Sequence, residues 1–87
     1  KYESADIQSF SDEWIKSNGF TPVSKSWSRL NGTDYLMTVS KNRYDGIMDS
    51  YLLYKNGHIL LISGIAEKKR YSSLNKNLKE VFNSLEI

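Results

Sequence analysis

The spacing of apolar residues along the chain changes period twice. Ile7, Phe10, Trp14 and Ile15 recur at intervals of three and four, with Ser9, Asp12, Glu13 and Lys16 largely off that stripe. This spacing predicts an amphipathic helix. Ser4 or Asp6 can cap its start by accepting a hydrogen bond from an orphan backbone N–H. Asn18-Gly19 predicts its end, since glycine readily takes the left-handed conformation common at helix C-termini, and Pro22 lies where the helix has already stopped.

From there to Ala66 the pattern is that of strands. Asn31-Gly32 and Asn56-Gly57 each separate two segments of strand composition. Type I′ turns need positive φ at both central positions, which Asn and Gly tolerate best, so two tight hairpins are expected. Two-residue loops pair Leu30 with Thr33, Arg29 with Asp34, Ser28 with Tyr35 and Trp27 with Leu36. In the second hairpin they pair Lys55 with His58, Tyr54 with Ile59, Leu53 with Leu60, Leu52 with Leu61 and Tyr51 with Ile62. The run Ile59-Leu60-Leu61-Ile62 has no polar alternation and needs cover on both faces. Between the hairpins, Lys41-Asn42-Arg43-Tyr44-Asp45-Gly46 reads as a polar turn with Gly46 as its left-handed residue.

The helical period then returns. Leu74, Leu78, Val81, Phe82 and Leu85 form one stripe, Lys76, Asn77, Lys79, Glu80 and Asn83 lie opposite, and Ser72 or Ser73 is the expected N-cap. The order α-β-β-β-β-α predicts an α+β fold: a four-stranded antiparallel meander sheet flanked by an N-terminal and a C-terminal helix, as one domain over 1–87.

Composition narrows the classes without choosing among them. A chain of 87 residues buries only about 60–65% of its unfolded surface, so its core is thin. Cysteine is absent, which excludes disulfides and thiolate metal sites. No apolar run approaches the roughly 18 residues of a membrane span. Twelve Lys and Arg against ten Asp and Glu leave a net charge of +2, too dilute to draw nucleic acid by charge alone. The chain starts at Lys1 without an initiator Met or a basic-then-apolar leader, as expected of a processed or excised piece.

Candidate chemistry is sparse. His58, the single imidazole, sits beside a turn opposite Lys55, a poor setting for a general base. Asp45 and Asp49 flank Gly46 without the spacing of a calcium loop or of an acid–base pair, and read as parts of a polar turn leading into a strand. No nucleophile motif or phosphate loop is present, and no cofactor is expected. Tyr35, Tyr44, Tyr51, Tyr54 and Trp27 with the Lys68-Lys69-Arg70 cluster keep single-stranded nucleic-acid binding as an alternative, although strands are enriched in aromatics for packing alone. Gly64, inside a strand, marks a bulge or a close approach, with packing under Trp14 or Trp27 as the first expectation and the floor of a shallow groove as the second. The first strand is the most suggestive surface. Ser24, Ser26 and Ser28 occupy one face while Trp27 lies between Lys25 and Arg29 on the other, as in an edge strand whose cations discourage uncontrolled pairing. Burial of Trp27 against Leu36 is the first expectation for so small a domain; an exposed Trp27 would be a natural protein-contact anchor.

The stretch Leu30-Asn31-Gly32-Thr33-Asp34-Tyr35, the segments Tyr51-Leu52-Leu53-Tyr54 and Ile59-Leu60-Leu61-Ile62, the charged Glu67-Lys68-Lys69-Arg70 before Tyr71, and the ending Phe82-Asn83-Ser84-Leu85 together resemble the C-terminal part of PsbP-like domains. Relatives of those domains include bacterial envelope lipoproteins of the DcrB type. The resemblance covers most of this chain but part of a full family domain, whose further strands precede the first helix. It implies an extracytoplasmic, envelope-associated accessory module. Metal sites of some plant members do not carry over, because no matching His and carboxylate cluster exists here.

The expected function is therefore a non-catalytic binding module, taking a protein or small ligand through a sheet edge or shallow groove. Trp27, Lys25, Arg29 and Gly64 are its candidate contact residues, and the open edge is one that a second copy could complete. Nucleic-acid binding is the first alternative and a small hydrolase-like enzyme, joining His58 to Asp49 or Glu67, the second.

Overall fold

The structure, a computed structural model, describes residues 4–85. Helix α1 (Ser4–Ser17) leads into strands β1 (Thr21–Leu30), β2 (Thr33–Lys41), β3 (Gly46–Lys55) and β4 (His58–Glu67). A single 3₁₀ turn, Lys68–Arg70, then enters helix α2 (Tyr71–Asn83). The four strands form one antiparallel sheet in the order β1-β2-β3-β4. This is the α+β meander the sequence pattern predicts.

Both hairpins adopt the predicted register, from Leu30 opposite Thr33 to Trp27 opposite Leu36 and from Lys55 opposite His58 to Tyr51 opposite Ile62. Asn31 and Gly32 have φ of 51° and 80°, and Asn56 and Gly57 have 53° and 79°, so these dipeptides place both central residues at positive φ as type I′ turns require. Gly19, at φ 82°, closes α1. Its N–H donates to the Lys16 carbonyl and that of Phe20 to the Ile15 carbonyl, the paired bonds of a Schellman ending. Phe20 thereby folds back beside Ile15 in the core.

The helices lie on opposite faces of the sheet. On the α1 face, Ile7 packs with Leu36 and Leu52, while Ile15 and Phe20 pack with Met48. Between these two apolar clusters lie buried hydroxyls: Ser11 of α1 and Thr38, Ser40 and Ser50 of the sheet. The Ser50 hydroxyl donates to the Thr38 carbonyl at 3.5 Å; Thr38 Oγ1 and Ser40 Oγ find no partner among the described residues. On the other face Phe82 is fully buried, stacked on Tyr51 and edge-on to Tyr35, both at 4.6 Å between ring centroids. Helix α1 spans β1 to β3, whereas α2 lies over β3 and β4.

Several local expectations are corrected. Phe10 is exposed, and Ser11 takes the buried place, because Ile7, Ser11 and Ile15 at i, i+4 and i+8 form the line facing the sheet. Val81 is likewise exposed, one position off the line of Leu78, Phe82 and Leu85. Asp45, at φ 62°, is the left-handed residue of the β2–β3 turn in place of Gly46. Gly46 is needed for a different reason: a Cβ there would lie 2.9 Å from the Asn42 carboxamide, whose Oδ1 accepts hydrogen bonds from the Tyr44 and Gly46 N–H groups. Ser72 and Ser73 lie inside α2, which begins at Tyr71 without a side-chain cap because the preceding 3₁₀ turn runs directly into it. At α1, Asp6 lies in the first turn, where its charge favours the helix dipole, and the side chain of Ser4 lies outside the described residues.

Candidate functional site

Strand β1 is an edge of the sheet, and most of its residues are exposed on both faces. A register shift between Pro22 and Ser24 places Val23 in a bulge near its start. Beyond the bulge, Ser24, Ser26 and Ser28 share the α2 face with Val39, Met37 and Tyr35 of β2, while Lys25, Trp27 and Arg29 point to the α1 face. Trp27 is 41% exposed, so its expected burial against Leu36 is incomplete: Leu36 packs with Ile7 and Leu52 in a cluster that does not include the indole. It borders a shallow depression with Ser28, Arg29 and Asp34.

The two cations beside Trp27 are both engaged by their own chain. Lys25 Nζ is 2.6 Å from Asp12 Oδ1 on α1. Arg29 Nε donates to Asp34 Oδ1 at 2.7 Å across the hairpin, and that bond raises the guanidinium pKa further. Lysines and arginines protect an edge best when their charge is free to repel an incoming strand. Here the protection is reduced, leaving an exposed aromatic on an edge ten residues long.

Gly64 does not join this group. It lies on β4, the opposite edge strand, and on the α2 face. A Cβ at Gly64 would meet Leu74 Cδ1 at 2.7 Å, so the glycine admits α2 rather than a tryptophan or a ligand. Both expectations for it, packing under Trp14 or Trp27 and a groove floor, are replaced by this helix contact.

Asp49, paired in register with Gly64, is fully buried beneath the same helix. Its Oδ1 accepts from the Tyr71 hydroxyl at 2.6 Å and its Oδ2 from Asn75 Nδ2 at 2.9 Å. Burial first, and then Asp49, push the Tyr71 phenol up to about 12. Burial also raises the Tyr51 phenol, with Asp49 adding to it. Tyr71 and Asn75 escaped the sequence reading, although a signal existed: an aspartate inside a central strand needs donors, and Asn75, four residues after Tyr71, interrupts the apolar stripe of α2. The arrangement is an anchor, since each oxygen of Asp49 receives a donor from the helix it secures. Asp45, by contrast, is in the exposed turn, so the two aspartates serve different elements.

The remaining candidates are dispersed. His58 is exposed at the β3–β4 turn, opposite Lys55. Tyr51 is buried, Tyr35 packs on Phe82, Tyr54 belongs to the α1 face, and Tyr44 is 74% exposed on the β2–β3 turn with Arg43 over its ring at 5.1 Å. These aromatics form no common exposed platform. Among the described residues, no three His, Asp or Glu side chains converge as metal ligands, and no helix is long and apolar enough to cross a membrane. Comparison with family models, curated proteins and solved structures finds no match.

Proposed function

We propose that this chain is a non-catalytic binding or accessory module that takes an extended polypeptide strand on its β1 edge. The observation that carries this reading is the exposed Trp27 on an open edge strand whose two neighbouring cations are held by Asp12 and Asp34. An added strand gains main-chain hydrogen bonds from the edge and specificity from alternate side chains. Trp27 is the anchor for one face of that strand, and the serine row accepts small or polar residues on the other. The resemblance to PsbP-like domains supports an accessory role and adds an extracytoplasmic, envelope-associated setting to the proposal. The isolated position of His58 supports the non-catalytic part.

A random nonapeptide array tests the reading. Wild type is expected to retain a subset of extended sequences, and Trp27→Ala to weaken that retention about tenfold, as for a central aromatic anchor. Hydrogen exchange of β1 amides should slow when a retained peptide is bound. Unchanged retention by a folded Trp27→Ala protein would refute the proposed contact.

A further inference from the structure

We infer that the strand this edge takes is β1 of a second copy, paired antiparallel about a two-fold axis at Ser26. The inference rests on the edge-pairing reading above and specifies its occupant. Two identical edges joined in one sheet are related by an axis perpendicular to it, which keeps each face on its own side, so the axis must pass through a residue position. Side-chain chemistry then selects which one. An axis at Lys25 sets Lys25 against itself, and an axis at Trp27 sets Lys25 against Arg29 of the other copy; both place like charges directly opposite. An axis at Ser28 leaves only 26–30 within the strand to pair.

An axis at Ser26 avoids all three defects. Its register pairs 24 with 28 and 25 with 27 and, beyond the Val23 bulge where the faces shift by one residue, 22 with 29 and 21 with 30, and so uses nearly the whole of β1 (Thr21–Leu30). On the α1 face each Trp27 lies against Lys25 of the other copy, a cation–π arrangement in which Asp12 still holds the ammonium. On the α2 face the pairs are Ser24 with Ser28 and Ser26 with itself, short hydroxyl side chains that present neither charge nor bulk.

The helix layer also leaves room. Because α1 spans β1 to β3, it is centred near β2, and the two β2 strands would be three strand spacings apart, about 14 Å. That exceeds the roughly 8–10 Å between directly packed helices. The two exposed tryptophans lie within this gap. Since α2 lies over β3 and β4, the serine rows of both copies would line the floor of one open trough between the two α2 helices.

Because the chain has no cysteine, single substitutions on the exposed serines report the register directly. Ser26→Cys places two thiols opposite each other at a Cα separation near 5 Å, within disulfide reach. Ser24→Cys or Ser28→Cys alone leaves them about 14 Å apart along the strands, while the Ser24→Cys/Ser28→Cys double variant brings unlike positions together. Under mild oxidation, Ser26→Cys and the double variant are expected to cross-link at least about tenfold faster than either single variant. Wild type should approach twice 10.0 kDa in light scattering as its concentration rises. Absence of cross-linking with a constant monomer mass, or equal cross-linking by Ser24→Cys alone, overturns the inference. In that event, array peptides that still protect β1 leave the edge-pairing reading standing, and absence of such peptides removes both.

Discussion

Replacing Tyr71 by Phe removes one oxygen from the hydrogen-bonded network that joins α2 to Asp49 at the sheet centre. The phenol donates to Asp49 Oδ1 at 2.6 Å, and Asp49 is fully buried between β3 and the helix. The ring is retained in Phe, so packing against the sheet changes little. What is lost is a hydrogen bond to a buried carboxylate, which contributes about 1.5–3 kcal/mol. Asn75 still donates to Oδ2, which keeps the cost below that of an orphaned carboxylate. A loss of about 2 kcal/mol corresponds to a Tm lowered by about 8–16 °C in a domain of this size. Urea unfolding followed by tryptophan fluorescence measures the free energy, and a scanning thermal melt measures Tm. Burial of this phenol, with the Asp49 bond adding to it, also predicts a pH effect. The folded-state phenol titrates near 12 and the unfolded one near 10, so the folded state retains the proton longer and the stabilisation is complete below pH 10. Stability should fall as pH rises from about 10 to 12, and Tyr71→Phe should remove this residue's share of the fall while leaving that of Tyr51. A Tyr71→Phe protein within about 0.5 kcal/mol of wild type, with an unchanged alkaline limb, would refute the anchoring role.

Other substitutions test the remaining contacts. Thr38→Val replaces a fully buried hydroxyl lacking a partner by a group of similar shape and should stabilise by about 1 kcal/mol in urea titration; destabilisation would show that Oγ1 is satisfied. Gly46→Ala should cost about 1–2 kcal/mol because its Cβ displaces the Asn42 carboxamide that holds the β2–β3 turn, whereas Asp45→Gly, at φ 62°, should be neutral or stabilising by the same assay. Phe82→Ala should cost about 3–5 kcal/mol and reduce the near-ultraviolet circular dichroism from the Tyr35–Tyr51–Phe82 cluster.

Sequence legibility followed the range of the interaction that decides each feature. Hairpin register could be read because Asn31-Gly32 and Asn56-Gly57 fix the turn locally, and a two-residue loop then determines every pair in the strands. The face of a helix is set by what it packs against. Phe10 and Ser11 are adjacent on α1, and the serine faces inward because it shares the line of Ile7 and Ile15 on which the helix docks. The same holds at the candidate site. Alternation in β1 separates its serines from Lys25, Trp27 and Arg29, and the hairpin pairs Arg29 with Asp34. No pattern in the chain relates Lys25 to Asp12, since that contact depends on how α1 lies across the sheet. Gly64 was readable as a close approach, but its neighbour Leu74 depends on the docking of α2.

The separation of anchor from edge makes the proposed edge pairing distinguishable from folding. Helix α2 is secured at Asp49 and Phe82, and α1 at Ile7, Ile15 and the Schellman turn at Gly19. Neither set uses the outer side of β1. Ser24, Ser26 and Ser28 are exposed and contribute to none of the apolar clusters, so changing them should leave stability within about 0.5 kcal/mol of wild type. Trp27 differs, because it lies partly over the sheet, and truncation removes some buried area along with the proposed contact. A serine-face substitution that blocks an incoming strand, such as Ser26→Lys, therefore gives a cleaner test than Trp27→Ala. Two lysines across the proposed axis would repel, so Ser26→Lys should abolish the mass increase at high concentration while matching the wild-type Tm at dilutions where both proteins are monomeric. Lowered stability of Ser26→Lys at that dilution would mean that β1 carries part of the monomer fold on its outer side, contrary to the exposed pattern of the strand.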